Sequence, residues 1–139
     1  TLYHNRQDMI RSVYEGIAYA LRTVLDVFRE NKVSFHDMIL IGGGAKSRLW
    51  NEMICHIFNM PVKVHRSPGV ATSLGAAISA GIGVGIFKDF DTAIESNFER
   101  HITPEASEHE EYEKYYDIYC SLYPQLKPIY GEIAQLTSE

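Results

Sequence analysis

The feature that most constrains this chain is a short apolar run, Met38-Ile39-Leu40-Ile41, that breaks into Gly42-Gly43-Gly44 and reaches Ser47 through Ala45-Lys46. A continuous apolar run of this length fits a strand covered on both faces, as in a sheet with helices on either side. The glycines end the strand. They permit positive φ and let a flat ligand lie against the backbone with no Cβ in the way. Ser47 is suited to cap a helix that starts at once. The first N–H groups of that helix lack intrahelical partners and carry partial positive charge, which favours a polar or anionic group there. On the triplet alone two readings stand: a nucleotide or phosphate contact, or a tight strand–helix turn with no ligand.

The flanking pattern supplies the rest of an α/β unit. Ile10, Val13, Tyr14, Ile17, Leu21, Val24, Leu25 and Phe28 recur at the spacing of one helix face, with Arg11, Glu15, Arg22, Asp26 and Arg29 opposite. That helix is expected to end near Asn31, a residue that tolerates a left-handed cap. After Ser47, a second helix presents Trp50, Met53, Ile54, Ile57 and Phe58; Asn59 closes it and Pro61 stops it. Pro61 to His65 alternates like a strand, and Ser67-Pro68-Gly69 is a turn. A third helix is expected over about 71–80, presenting Leu74, Ala77 and Ile78, with Gly81, Gly83 and Gly85 forming its exit loop. Residues 89–96 are read as a short helix. Ser107 and Glu110 match a capping box, before a tyrosine-rich helix from Tyr112 to Ile133 that Pro124 and Pro128 should kink or interrupt. The tyrosines read as packing residues with polar tips at the surface. The order α-β-α-β-α plus a helical tail predicts an α/β fold with helices over a small, partly parallel sheet. Two strands make a thin sheet, and the chain opens without Met, so a piece of a longer protein is expected.

Composition removes several alternatives. A net charge of −5 with no basic block argues against a duplex nucleic-acid binder. No apolar run reaches membrane-spanning length. Cys55 and Cys120 fit reduced thiols of a cytoplasmic protein, and no cysteine or histidine spacing suits a metal. A P-loop needs glycine where Ala45 and Leu40 stand. A dinucleotide fingerprint fits Gly42 and Gly44, but its third glycine falls on Ser47. Arg66 leaves an NADP-type reading open as the alternative, and a non-catalytic actin-like interaction domain is the second.

One resemblance covers nearly the whole chain. Gly42-Gly43-Gly44-Ala45-Lys46-Ser47-Arg48-Leu49-Trp50 resembles the adenosine motif GGGAxSxxW of the FGGY carbohydrate kinases. Glu15-Gly16-Ile17-Ala18 upstream, Leu74-Gly75-Ala76-Ala77 downstream, and Pro104 before the tyrosine-rich helix resemble further family segments in the same order. The resemblance implies part of an actin-like ATPase (ribonuclease H-like) fold, with ATP in a cleft between two α/β domains. It implies transfer of phosphate from ATP, with Mg²⁺, to a sugar or polyol hydroxyl. A xylulose-like pentulose is favoured. Such catalysis depends on positioning and charge neutralisation. By this resemblance Gly42, Gly43 and Gly44 form the turn beside the adenosine, Ala45 keeps the path to the base clear, and Ser47 and Arg48 reach the adenine or its surroundings. Lys46 is read as solvated and Trp50 as core.

The resemblance also implies that the aspartate base, the phosphate loops and the sugar contacts lie upstream, in an N-terminal domain. Asp8, Asp37, Asp89 and Asp91 have no motif context. The expected partners are ATP or ADP, a small sugar or polyol and that missing domain. The chain alone is expected to be inactive, and its uncovered surface to allow a homodimer. Many family members carry Glu where this chain has Val70, and Ala-Asp where Cys55-His56 stand, so those surfaces differ here.

Overall fold

The computed structural model describes residues 3–91 and 98–136. Helix α1 spans Arg6–Glu30 and starts at Asn5. The Asn5 side chain accepts from the Gln7 and Asp8 amides, and the Asp8 carboxylate accepts from the Asn5 amide at 2.9 Å. This reciprocal capping box satisfies donors that the helix cannot pair internally. At the other end the left-handed residue is Lys32 (φ 58°), one past the expected Asn31. The Val33 N–H reaches back to Phe28 O at 3.0 Å, the six-to-one bond of a Schellman close, which needs the reversal at Lys32.

Strand β1 (Met38–Leu40) leads through the glycine turn to helix α2 (Arg48–Phe58) and strand β2 (Val62–His65). Helix α3 spans Ala71–Gly83, strand β3 Phe98–Ile102 and helix α4 Ala106–Leu136. The sheet order is β1-β2-β3. β1 and β2 are parallel, with Met38 opposite Val62, so α2 is the crossover between them. β3 runs antiparallel to β2, with Val62 opposite Ile102 and a bulge between Val64 and His65. The expected small sheet with helices is present, with one strand more than the pattern predicted, but β1 is not covered on both faces: Ile39 and Ile41 are exposed among the described residues. Phe98-Glu99-Arg100-His101-Ile102 is only weakly apolar, and pairing with β2 makes it a strand.

The core gathers Met53, Ile54, Ile57 and Phe58 of α2, Val62 and Val64 of β2, Tyr19 and Leu25 of α1, and Tyr112 and Tyr116 of α4. The face that α1 uses is not the predicted one. Ala18, Tyr19, Arg22 and Leu25 point inward, whereas Ile10, Val13, Tyr14, Ile17, Leu21, Val24 and Phe28 are exposed. Most of α3 is also exposed, with Ile78 and Gly81 buried. The apolar stripe of α1 thus has nothing packed over most of it among the described residues.

Arg22, assigned to the polar face, is buried because α2 needs it. The last carbonyls of α2 lack helical donors. Asn59, in the left-handed conformation (φ 49°), directs its N–H to Cys55 and His56. Cationic or imidazole side chains reach the other carbonyls. Arg22 donates to Ile57 O at 3.0 Å and Arg29 to Phe58 O at 2.8 Å, while His109 Nδ1 lies 3.0 Å from His56 O. Positive charge there complements the helix dipole. Arg22 also pairs with Glu113 and lies 3.9 Å from the centre of the Tyr116 ring, which ties α1, α2 and α4 at one point.

Three further expectations are corrected. α4 begins at Ala106, so Ser107 sits inside its first turn and not at the cap; the Glu105 amide instead donates to His56 Nδ1 at 3.1 Å. The prolines do not interrupt the helix, which continues through Pro124 and Pro128. Its residues from Cys120 onward are exposed, so water reaches the carbonyls that each proline leaves without a donor. Gly81 and Gly83 belong to α3, and of the three exit glycines Gly85 takes the positive φ, 79°. The helix expected over 89–96 falls mostly on residues 92–97, outside the described residues.

The tyrosines do split as packing residues with polar tips. Tyr112 and Tyr116 are buried, the Tyr116 hydroxyl donates to Asp26 at 2.6 Å, and the Tyr112 hydroxyl accepts from Arg11 at 2.9 Å. Tyr115, Tyr123 and Tyr130 are exposed.

Candidate functional site

β1 delivers the chain to Gly42, which adopts φ +82°, where a side chain would be strained. Its N–H donates to Pro68 O at 2.7 Å, which pins the bend to the turn after β2. A Cβ built at Gly42 or Gly43 would meet no atom within 4 Å. The bend is therefore open on its outer side and not plugged by protein. At Gly44 a Cβ would come within 3.3 Å of Trp50 Nε1, so this glycine makes room for the indole.

The segment Gly44–Lys46 forms one 3-10 turn, closed by Lys46 N to Gly43 O at 3.2 Å and Ser47 N to Gly44 O at 3.0 Å. Ser47 caps α2 as expected, its hydroxyl accepting from the Trp50 amide at 3.3 Å. Ala45 is buried, and its carbonyl accepts from the Asn51 carboxamide at 2.9 Å. The Gly43 N–H makes no backbone hydrogen bond among those of the described residues.

The six predicted site residues thus share one short surface, with different orientations. Gly43 and Gly44 are exposed and Gly42 is half-buried. Ala45 turns inward. Ser47 spends its hydroxyl on the cap. The Arg48 side chain is 81% exposed and pairs with Glu52 at 2.7 Å, along its own helix. Trp50 is half-buried between the core and Tyr14, 5.9 Å from it ring to ring. Val70 lies exposed at the start of α3 and offers no side-chain cap.

Pattern reading missed Asn51, the fully buried polar residue beneath the turn. A polar residue at a buried helix position, one place past Trp50, was the available signal.

Two other concavities lie elsewhere on the surface. A groove of about 370 Å³ is lined by Arg11, Glu52, His56, Glu105 and Glu108. Its basic groups are already engaged, Arg11 by Glu15 and Tyr112, His56 by the Glu105 amide. Beside the turn, an apolar cavity of about 220 Å³ is lined by Ile39, Ile41, Leu74, Ile78 and Phe90. Among the described residues no three His, Cys, Asp or Glu are grouped to hold a metal. Asp8 serves as a capping residue, and Asp37 pairs with Lys63. Cys55 and His56 serve packing: the Cys55 thiol lies 3.2 Å from Met60 O and His56 receives the start of α4.

Comparison with known proteins shows the family and the fold. Residues 1–84 match the model of the C-terminal domain of the FGGY family of carbohydrate kinases. A xylulose kinase of Staphylococcus epidermidis is 33% identical over 138 residues, 97% of this chain and 27% of the relative. The L-xylulose/3-keto-L-gulonate kinase of Escherichia coli is 26% identical over 96% of this chain. The crystal structure of a xylulose kinase from Rhodospirillum rubrum superposes with a TM-score of 0.83 at 25% identity, covering 94% of this chain and 27% of that one. The architecture is that of the actin-like ATPases. The chain spans about a quarter of the length of the curated relatives it matches.

Proposed function

The chain belongs to the FGGY family of carbohydrate kinases, and from that premise we propose that the protein containing it transfers phosphate from ATP to a hydroxyl of a small sugar or polyol, a xylulose-like pentulose being favoured. The observation that carries the role of this chain is the open bend at Gly42-Gly43, held between a strand end and the start of α2. An adenine nucleotide lies against that backbone, with Gly42, Gly43 and Gly44 as the contact surface. The Ala45 methyl is turned away, and the opening turn of α2 at Ser47 and Arg48 borders the base. Arg48 reaches a ligand only by leaving Glu52. The ion pair is exposed, so that exchange costs little.

No carboxylate of this chain is assigned as the base. The aspartate, the phosphate-gripping loops and the sugar contacts belong to an upstream domain of the same polypeptide. Mg²⁺ travels on the nucleotide phosphates, and none of this chain's residues is assigned to it. The exposed apolar stripe of α1 and the edge of β1, unpaired among the described residues, support an upstream partner, because both leave apolar surface or backbone bonds uncovered. In isolation the same stripe pairs copies of the chain. The protein works in the cytoplasm, where ATP is supplied.

Titration calorimetry with ADP tests the site, and NADPH serves as the competing ligand. ADP is expected to bind and Gly43→Val to weaken it at least tenfold, since the branched side chain fills the open face. NADPH binding in place of ADP would favour the dinucleotide reading, and equal ADP affinity in the variant would sink the proposed surface. A phosphotransfer assay over pentuloses, hexuloses and polyols should show turnover by the full-length protein and none by this chain alone.

A further inference from the structure

We propose that Asn51 is a positioning residue for the nucleotide site, holding the glycine turn in its ligand-ready shape from below; this rests on the adenine-nucleotide reading of that turn. Asn51 lies one turn into α2 and has no solvent exposure. Its Nδ2 donates to the Ala45 carbonyl at 2.9 Å, while its Oδ1 is buried with no hydrogen-bond partner among the described residues. A half-satisfied carboxamide is a costly way to fill a core position, and an apolar side chain of similar size would avoid that cost. The group is useful for what its donor grips.

That grip falls at the centre of the turn. Ala45 is the middle residue of the 3-10 segment Gly44–Lys46, and its carbonyl faces the interior. Fixing that carbonyl fixes the Ala45–Lys46 peptide plane, and with it the direction of the amides on either side. Gly42 and Gly43 have no side chains and no packing neighbour at the Cβ position, so nothing on the outer face restrains the bend. Its shape depends on the backbone bonds from Gly42, Lys46 and Ser47 and on the Asn51 clamp. A nucleotide that binds to backbone meets a surface already set, and avoids ordering it on binding.

The test uses the full-length protein with Asn51→Leu, which keeps volume and removes the donor, and Asn51→Ser, which is smaller and tolerated in buried helices. Both are expected to raise the KM for ATP and the Kd for ADP about tenfold, with the KM for the sugar within twofold of the parent. A merely structural role would lower the melting temperature and leave that split absent. Should Asn51→Leu not fold, Asn51→Ser carries the same expectation. Unchanged ADP affinity in either folded variant, alongside loss in Gly43→Val, overturns the role of Asn51 alone. Unchanged affinity in Gly43→Val as well overturns the nucleotide reading on which it stands.

Discussion

Replacing Arg22 by Met asks how much the buried guanidinium contributes to closing α2. The methionine keeps most of the volume and removes four interactions, of which the 3.9 Å ion pair with Asp26 adds little. The Ile57 carbonyl loses a charged donor at 3.0 Å, a loss of about 1.5–3 kcal/mol. Glu113 loses its arginine partner, but its side chain is 41% exposed and keeps His109 Nε2 at 3.5 Å, so this term is about 1 kcal/mol or less. Contact with the Tyr116 ring, 3.9 Å away, adds about 0.5–1 kcal/mol. Burial of the thioether returns about 1–2 kcal/mol. The net loss centres on about 2 kcal/mol, or a fall in Tm of about 5–10 °C for a domain of this size. Arg29→Met is the control. Arg29 makes the equivalent bond to Phe58 O, but its side chain is 37% exposed, so water replaces it and the loss stays near or below about 1 kcal/mol. Urea unfolding followed by the fluorescence of Trp50, the chain's single tryptophan, measures both. Arg22→Met matching the parent, or Arg29→Met costing more than Arg22→Met, would refute the claim that burial sets the value of these carbonyl caps.

Two further outcomes follow from the same contacts. The hydrogen bond from Arg22 holds the Glu113 carboxyl below the usual carboxylate range, against an opposing effect of burial. A group depressed on folding contributes stability that is present above its unfolded pKa and lost as pH falls through its folded value. Stability should therefore drop on acidification from pH 6 to pH 3, and less steeply in Glu113→Gln; parallel curves would remove this pair from the acid response. Burial pushes the Cys55 thiol up to about 11, whereas Cys120 is exposed. Iodoacetamide at pH 8 should label Cys120 in the native chain and Cys55 only with unfolding, as read by peptide mass; comparable labelling of both would contradict the packing of α2.

The local devices of this protein were legible in its residues. Met38-Ile39-Leu40-Ile41 followed by three glycines announced a strand and a turn, and Ser47 and Asn59 bounded α2, because each depends on the conformational habits of a few adjacent residues. The existence of helix α1 was equally plain. Its inward face was not: the strongest apolar stripe is uncovered here, and Arg22 is buried through partners 35 and 91 positions away. β3 went unread because its alternation is interrupted by charge, and only the edge of β2 makes it a strand. Asn51 went unread for a similar reason, since its value comes from one carbonyl that the folded turn directs inward. Sequence alone determined the glycine bend and the caps of α2, since those are short-range torsional and hydrogen-bonding preferences. Tertiary structure alone decided which faces are buried and which polar groups become clamps, since burial and pairing depend on whichever distant segments arrive.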